Sequence, residues 1–254
     1  MNQQNIKLTI EYKGTNFAGW QSQAGPRTIQ DEIIEAIFKT TGQKTRLIAA
    51  GRTDAGVHAL GQVANFVIEH DLQADRYKEA LNFYLPDDIR ILASEPVPVT
   101  FDARRDALFK RYRYLVGTEK SALYRDYRWE YTRPVDLERL RKAADLIVGE
   151  YDFSPFCVVS SRKENNICRI DSATWRRIGP LLVFEIRGNR FLHSMIRSLV
   201  GAMLNLSTLE VDKNKLNLTL DRFEDIIKSS TSERVKFTAP AQGLYLVSVG
   251  YNKG

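Results

Sequence analysis

The order in which hydrophobic patterns follow one another is the feature that most constrains the fold of this chain. Apolar side chains at Ile6, Leu8, Ile10 and Tyr12 alternate with polar ones, which predicts a strand with one buried face. A helix follows it, with Thr28 as a capping residue, acids in the first turn and a glycine stop at 42. The elements predicted after it are strands at 45–50 and 62–68, a helix at 75–84 and a strand at 89–93.

The second half of the chain repeats this order. Its predicted elements are a strand at 110–117, a helix at 136–148, strands at 168–178 and 181–187, helices at 191–206 and 220–228, and a strand at 243–251. Strand, helix, strand, strand, helix, strand is the order of the ferredoxin-like fold. We therefore predict an α+β protein of two ferredoxin-like (βαββαβ) halves, residues 1–105 and 106–254, which form one extended, mostly antiparallel sheet with helices packed on one face.

Charge is unevenly divided between the halves. The chain carries a formal charge of +6, with 12 Lys+Arg against 13 Asp+Glu up to Arg105 and 25 against 18 after it. An excess of positive charge in the second half permits a polyanionic partner such as nucleic acid, and it is equally compatible with a solvated basic surface.

Other classes of protein are disfavoured by the composition. Cys157 and Cys168 are the only cysteines, and the three histidines have no metal-ligand spacing, so we expect neither a structural disulfide nor a metal. No apolar run approaches the length of a membrane-spanning helix, and the polar start lacks the pattern of a signal peptide. We expect a cytoplasmic protein without a membrane partner.

Residues 51–58 place an arginine and an aspartate between glycines, in a loop that joins two predicted strands. Glycines permit unusual backbone conformations and close approach of a ligand. From the spacing alone, Asp54 is either a catalytic carboxylate or a residue that caps backbone amides and pairs with Arg52.

The same segment, Gly51-Arg52-Thr53-Asp54-Ala55-Gly56-Val57-His58, resembles the active-site signature of the TruA family of tRNA pseudouridine synthases. Further similar segments follow in the family's order along nearly the whole chain. They are Glu11–Phe17 with Gly19-Trp20-Gln21, Thr28-Ile29-Gln30, Asn82 with Leu85–Ile89, Phe101–Arg104, Arg111–Tyr114, Phe191 with Met195-Ile196-Arg197 and Val200-Gly201, and Ala239–Leu246.

The resemblance implies an isomerase that acts on uridines at positions 38–40 of the tRNA anticodon stem-loop, without cofactor or metal, as a homodimer. It identifies Asp54 as the catalytic carboxylate, which meets the positive charge that develops at C1′ when uracil leaves. A covalent ribosyl ester, attack on the uracil ring and a glycal route all remain compatible with one carboxylate. The resemblance also implies an active-site cleft between the halves.

Other site residues follow from the same resemblance. Tyr112 matches an active-site tyrosine that can stack on the flipped uracil and assist the final proton removal. Arg197 matches an arginine expected to pair with Asp54 and keep it ionised. Leu244 resembles an apolar residue that closes the pocket, although ordinary core packing is an equal alternative. Arg52 is expected beside the phosphate of the flipped nucleotide or as a residue that holds the base-extrusion loop, with a structural ion pair as its alternative.

Basic residues near these motifs are candidate RNA contacts, although a solvated surface charge is the alternative for each. They are Arg104, Arg105, Lys110, Arg111, Arg113, Arg162, Lys163, Arg187 and Arg190. The chain departs from the family pattern at Asp102, where histidine is common, and at 160–166 and 205–209. Two rival functions remain: a family member with other target positions, and a non-catalytic RNA-binding module.

Overall fold

The computed structural model describes residues 3–209, 218–229 and 235–251. These residues form ten strands and five α-helices, so the α+β class is confirmed. The chain divides into two compact units, residues 1–110 with 245–254, and residues 111–244. The last strand was predicted as part of the second half, but it pairs with a strand of the first unit and is grouped with that unit.

The first unit has a mostly antiparallel sheet. Its central strand β3 lies beside β1, and β1 lies beside β4. On the edge away from β1, strand β3 pairs antiparallel with β2, at Asn65, and parallel with β10, at His58. The bounds are β1 (Gln3–Tyr12), α1 (Ile29–Thr41), β2 (Ile48–Ala49), β3 (His58–Glu69), α2 (Tyr77–Tyr84), β4 (Ile89–Val97) and β10 (Leu244–Gly250).

The patterns that predicted β1 and α1 act as expected. Ile6, Leu8 and Ile10 are fully buried, which explains their alternation. The Thr28 side chain accepts a hydrogen bond from the Asp31 amide and so caps α1, and Gly42 ends the helix with a φ of 72°. The strand–helix–strand–strand–helix–strand order predicted for this part of the chain is confirmed.

The second unit is built on four strands in the order β5-β9-β8-β7. Strands β8 and β9 form an antiparallel hairpin that turns at Gly179, whose φ is 55°. Helix α3 packs against β8, α4 and α5. The bounds are β5 (Phe109–Gly117), β6 (Trp129–Glu130), α3 (Leu137–Leu146), β7 (Gly149–Asp152), β8 (Ile167–Ile178), β9 (Leu181–Gly188), α4 (Met195–Ser207) and α5 (Leu220–Lys228).

Three local predictions need correction. Helix α4 was expected from Phe191 but begins at Met195, because Ser194 adopts a φ of 59°, outside the helical region. The strand predicted at 45–50 is reduced to Ile48–Ala49. Strands β6 and β7 were not predicted, since two and four residues are too few to show an alternating pattern. No helix within the described ranges is long and apolar enough to cross a membrane.

Candidate active site

Asp54 is the first residue of a turn in the segment that connects β2 to β3. The Val57 amide donates to the Asp54 carbonyl oxygen at 3.1 Å, and Gly56, the third residue of the turn, has a φ of 79°. A positive φ at that position is the requirement of a type II turn, which glycine meets without strain. The second glycine of the motif therefore shapes the backbone, and the Asp54 side chain is left half-exposed.

Hydrogen bonds from the interior of the first unit hold this loop in place. The Thr53 hydroxyl lies 2.8 Å from the Tyr12 hydroxyl, and the Trp20 amide donates to the Thr53 carbonyl oxygen at 3.1 Å. The Gln62 side chain donates to the Gly51 carbonyl oxygen at 2.8 Å. These partners come from β1, from the segment after it and from β3, so the chain that leads into Asp54 is fixed by the sheet.

Two glycines let the segment after β1 approach the loop closely. A Cβ at Gly14 would overlap the carbonyl oxygen of Val57, and one at Gly19 would lie 2.7 Å from the carbonyl oxygen of Thr53. Gly19 also has a φ of 97°. The Gly14 and Gly19 positions of the family-like segment are thus explained by backbone contact.

His58 ties the same two segments together. Its Nδ1 accepts a hydrogen bond from the Gly14 amide at 3.1 Å, and its ring stacks on Tyr245 with centroids 4.8 Å apart. Since Nδ1 accepts, a neutral His58 carries its proton on Nε2. His58 is buried, so it supports the loop from the interior of the first unit.

The basic residues predicted in the first unit occupy different surroundings. Arg52 is exposed on the loop, and the side chain of Lys110 passes over Gly51, where an added Cβ would lie 3.2 Å from its Cε. Lys110 is therefore brought beside the Asp54 loop.

Arg104 and Arg105 are exposed and lie in a turn organised by Asp102. Their amides both donate to Asp102 Oδ1 at 2.9 Å, and Arg105 Nε lies 3.1 Å from Oδ2. Burial alone would raise the pKa of Asp102, but these hydrogen bonds and the Arg105 charge lower it below its ordinary value. The aspartate that departs from the family pattern thus stabilises the turn that presents the two arginines.

Tyr112 lies on β5 and is almost completely buried. Its ring meets Phe191 edge-on, with centroids 5.1 Å apart. Arg111, the preceding residue, is exposed. The structure therefore places the predicted tyrosine and the phenylalanine of the Phe191 motif in one aromatic pair.

Arg197 and Tyr114 both bind the segment that leads to Leu244. Arg197 Nε donates to the Ala239 carbonyl oxygen at 2.8 Å, and the Ala239 amide donates back to the Arg197 carbonyl oxygen. The Tyr114 hydroxyl donates to the Pro240 carbonyl oxygen at 2.7 Å. Burial raises the pKa of Tyr114, so it remains a neutral donor. Leu244 itself is buried.

Several candidate RNA contacts are engaged within the second unit. Arg113 donates to Glu185 through Nε at 2.9 Å and Nη2 at 2.7 Å, and Arg176 holds the other oxygen of the same carboxylate. Arg187 lies 3.7 Å from Asp171, and Arg190 donates to the Asn165 carbonyl oxygen at 3.3 Å. Lys163 is exposed and Arg162 is partly buried.

A metal centre has no visible ligand set. Within residues 3–209, 218–229 and 235–251, no three His, Cys, Asp or Glu side chains are grouped so that they could hold an ion. The Asp54 carboxylate, partly exposed on a turn held by hydrogen bonds, is a group that could act as a nucleophile or as a base.

Comparison with known proteins identifies the family. A family model described as tRNA pseudouridine synthase matches residues 8–105 and 143–252. The chain belongs to this family. Its members are isomerases that convert uridine to pseudouridine.

Relatives align over nearly their whole length. The tRNA pseudouridine synthase A of Acetivibrio thermocellus is 43% identical, covering 97% of this chain and 99% of that protein. The synthases A of Brachyspira hyodysenteriae and Bacillus pumilus are 40% and 36% identical, over 95% and 97% of this chain and 96% and 99% of theirs. An archaeal box H/ACA Nop10–Cbf5 complex aligns with a TM-score of 0.38 and 11% identity over 94% of this chain and 58% of that one, a likeness too weak to support a conclusion.

The supporting residues of this synthase were not singled out from the sequence. Tyr12, Thr53 and Gln62 each lie inside or beside a quoted family segment, but nothing in the spacing links them. Their common signal is a polar side chain at a position where the strand or loop is buried, which becomes visible only once strand pairing is known.

Proposed function

We propose that this chain isomerises uridine to pseudouridine at positions 38–40 of the tRNA anticodon stem-loop, with the Asp54 carboxylate as the catalytic group and no cofactor. The observation that carries the proposal is the turn at Asp54: buried hydrogen bonds at Thr53 and at His58 hold the chain before and after it, while Asp54 itself is partly exposed. A catalytic group needs this combination of a rigid support and an open approach.

Isomerisation requires the N1–C1′ bond to break, the uracil to turn and a C5–C1′ bond to form. As uracil departs with the bonding electrons, positive charge develops at C1′. An anion held close to the sugar stabilises that charge electrostatically or by bonding to it, or else removes the C2′ proton in a glycal route. The proton on C5 leaves after the new bond has formed, which restores the aromatic ring.

We assign the other predicted site residues roles that are compatible with their surroundings. We propose that Tyr112, held by Phe191, stacks on the flipped base. Arg197 supplies a positive charge for the Asp54 carboxylate, and Leu244 limits the space above the base. Arg52 contacts the phosphate of the flipped nucleotide. The exposed residues Arg104, Arg105 and Arg111, together with Lys110, contact the RNA backbone.

The Asp54 proposal is tested by tritium release from tRNA labelled at uridine C5. Wild-type protein should release tritium, and Asp54→Asn should abolish release while it keeps the affinity for tRNA. Asp71→Asn, a change of the same chemistry at an exposed position, is the matched control and should leave release unchanged. Binding without release by the wild-type protein would instead indicate a non-catalytic RNA-binding module.

The target positions need a separate measurement. Pseudouridine should be mapped in tRNA transcripts in which the uridines at 38, 39 and 40 are replaced one at a time. Modification confined to these positions supports the proposal, and modification that persists elsewhere after all three are replaced identifies a synthase with another target.

We also propose that the protein is a homodimer that acts in the cytoplasm. A twofold dimer brings two basic second halves to one tRNA, which extends the surface that can contact its backbone. Light scattering should give twice the mass of the chain at working concentration, and a monomer would refute this part of the proposal.

A further inference from the structure

A pocket of about 570 Å³ lies in the second unit, beside the loop that joins β5 to β6. Its lining includes the charged side chains of Lys120, Arg125, Asp126, Arg128 and Glu130. Three of these side chains are basic and two are acidic. No family-like segment or predicted RNA contact covers the loop part of this lining, so neither the resemblance nor the proposed mechanism assigns it a role.

Arg128 is the unusual member of the lining because it is only 6% exposed. Its Nη2 donates to the Glu119 carbonyl oxygen at 3.0 Å, and its guanidinium carbon lies 5.6 Å from the centre of the Tyr124 ring. Its Nε is buried and has no hydrogen-bond acceptor among the described residues, and none of the ion pairs found within them includes Arg128. A buried cation without an anion is costly unless a ligand supplies the charge.

The acidic residues of the pocket are directed to other partners. Glu130 Oε1 accepts a hydrogen bond from the Ser121 amide at 2.5 Å, and Asp126 lies 3.7 Å from Arg125. The exposed Lys120 adds a further positive charge to the lining. The pocket therefore has a net positive lining around an arginine that forms no ion pair with any residue that the structure describes.

The strand next to the pocket is adapted to hold Arg128. A Cβ at Gly117, the last residue of β5, would overlap the Arg128 guanidinium. Glycine at this position lets the planar group lie directly against the backbone of the strand. The arginine is thus held in one place, as a binding group should be.

We propose that this pocket is a phosphate-binding site, with the Arg128 guanidinium as its principal ligand and Lys120 and Arg125 as supporting charges. Arginine is suited to this role because its planar fork matches phosphate oxygens and is always charged. The phosphate comes either from an RNA backbone, in which case the site rests on the proposed function, or from a small phosphate ester or free phosphate.

The pocket lies next to the segment that leads to Leu244, because Gln242 is part of its lining. Trp129 meets Tyr114 edge-on at 6.5 Å, Tyr114 donates to the Pro240 carbonyl oxygen, and Gln242 lines the pocket itself. A phosphate bound here lies beside the segment that leads to Leu244.

The first experiment uses inorganic phosphate and the side-chain Nε–H resonances of the arginines, observed by nuclear magnetic resonance. The Arg128 signal is assigned by its absence in Arg128→Lys. We expect this signal to shift with phosphate along a saturating curve. The double variant Lys120→Gln/Arg125→Gln, whose changes are both exposed, should weaken phosphate binding about tenfold, whereas Lys142→Gln on α3 should not.

The second experiment measures the affinity for a tRNA transcript at several salt concentrations. If the phosphate belongs to RNA, Lys120→Gln/Arg125→Gln lowers the affinity and reduces the slope of log K against log salt by about one, because the cations of this pocket share a single phosphate. Because both changes are exposed, this variant avoids the folding risk of replacing Arg128.

The two experiments together decide the proposal. A phosphate shift without an RNA effect identifies a small anion as the ligand, and an RNA effect identifies the backbone. Absence of both overturns the site. A wild-type protein that shows either effect but forms no pseudouridine refutes the proposed function and leaves the phosphate site standing.

Discussion

The hydroxyl pair of Tyr12 and Thr53 links the core of the first unit to the Asp54 turn. Both side chains are buried, and their oxygens are 2.8 Å apart. We expect Tyr12→Phe to destabilise the protein by about 1–2 kcal/mol, because the Thr53 hydroxyl loses this buried partner. Looser support of Asp54 should also lower the rate of tritium release.

Urea unfolding and tritium release check this prediction. Tyr84→Phe removes a hydroxyl from a ring that is 44% exposed, and it should change the free energy of unfolding by less than about 0.5 kcal/mol. If the two variants are equally stable, the hydroxyl pair does not support the turn.

The same tyrosine predicts how stability depends on alkaline pH. Burial raises the pKa of Tyr12 from 10.0 to about 12, against the opposing effect of hydrogen bonds with Thr53 and Gln62. Above pH 10 the unfolded chain releases this proton while the folded chain keeps it. The Tyr12 contribution is therefore complete below pH 10 and falls by roughly 2–3 kcal/mol as the pH rises to 12.

This dependence is measured as the difference in unfolding free energy between wild type and Tyr12→Phe from pH 9 to 11.5. Tyr114 and Tyr251, whose pKa values burial also raises, are present in both proteins and cancel in the difference. We expect the wild type to lose stability faster than the variant above pH 10. Parallel curves would contradict a raised pKa at Tyr12.

At the residue scale, the sequence was informative about chemistry and less so about support. The family-like motifs predict Asp54, Tyr112 and Arg197 as site residues, because each of them lies in a short local signature. The hydrogen bonds from Tyr12 and Gln62 to the loop join positions far apart in the chain. Such pairs depend on strand register, which no local pattern contains.

At the scale of elements, β3, which begins directly after the Asp54 turn, is paired with β10. A Cβ at Gly61 would lie 2.6 Å from the Val247 carbonyl oxygen on β10. We expect Gly61→Ala to cost about 1–3 kcal/mol through overpacking and to separate the two strands. Tritium release should fall as well, since β10 begins at Leu244 and β3 begins directly after the Asp54 turn.

Hydrogen exchange of the β10 amides reports the strand separation directly. Gly42→Ala serves as the comparison: its φ of 72° makes a side chain unfavourable, but no atom lies within 4 Å of the added Cβ. It should lower the overall stability without accelerating exchange in β10 selectively. Equal β10 protection in the two variants would show that this contact does not set the strand position.

The elements that sequence predicted best are those with local end signals. Helix α1 has Thr28 and Gly42 at its ends, and α5 was placed at Leu220–Lys228 as observed. Helix α4 was predicted too long because the apolar pattern of the sequence extends upstream to Phe191. The positive φ of Ser194 is not helical, so the helix begins only at Met195. Short strands such as β6 are defined by their partners and not by their own residues.

At the scale of the whole molecule, the uneven charge distribution predicts where RNA affinity originates. Residues after Arg105 carry 25 basic against 18 acidic side chains, whereas the preceding part is nearly balanced. Removing one cation that contacts a phosphate should reduce the slope of log K against log salt by about one. We therefore expect Lys163→Gln and Arg190→Gln together to lower the slope for tRNA binding by about two.

The matched control is Lys44→Gln with Arg46→Gln, two exposed cations of the first unit that lie outside every family-like segment. This pair removes the same formal charge, so a general effect of net charge acts equally on both double variants. If both reduce the slope alike, affinity follows the total charge of the chain and the second unit has no privileged contact with RNA. If only the Lys163 and Arg190 variant reduces the slope, local phosphate contacts determine the affinity. Recognition of tRNA by shape then depends on the positions of the basic side chains and not only on their number.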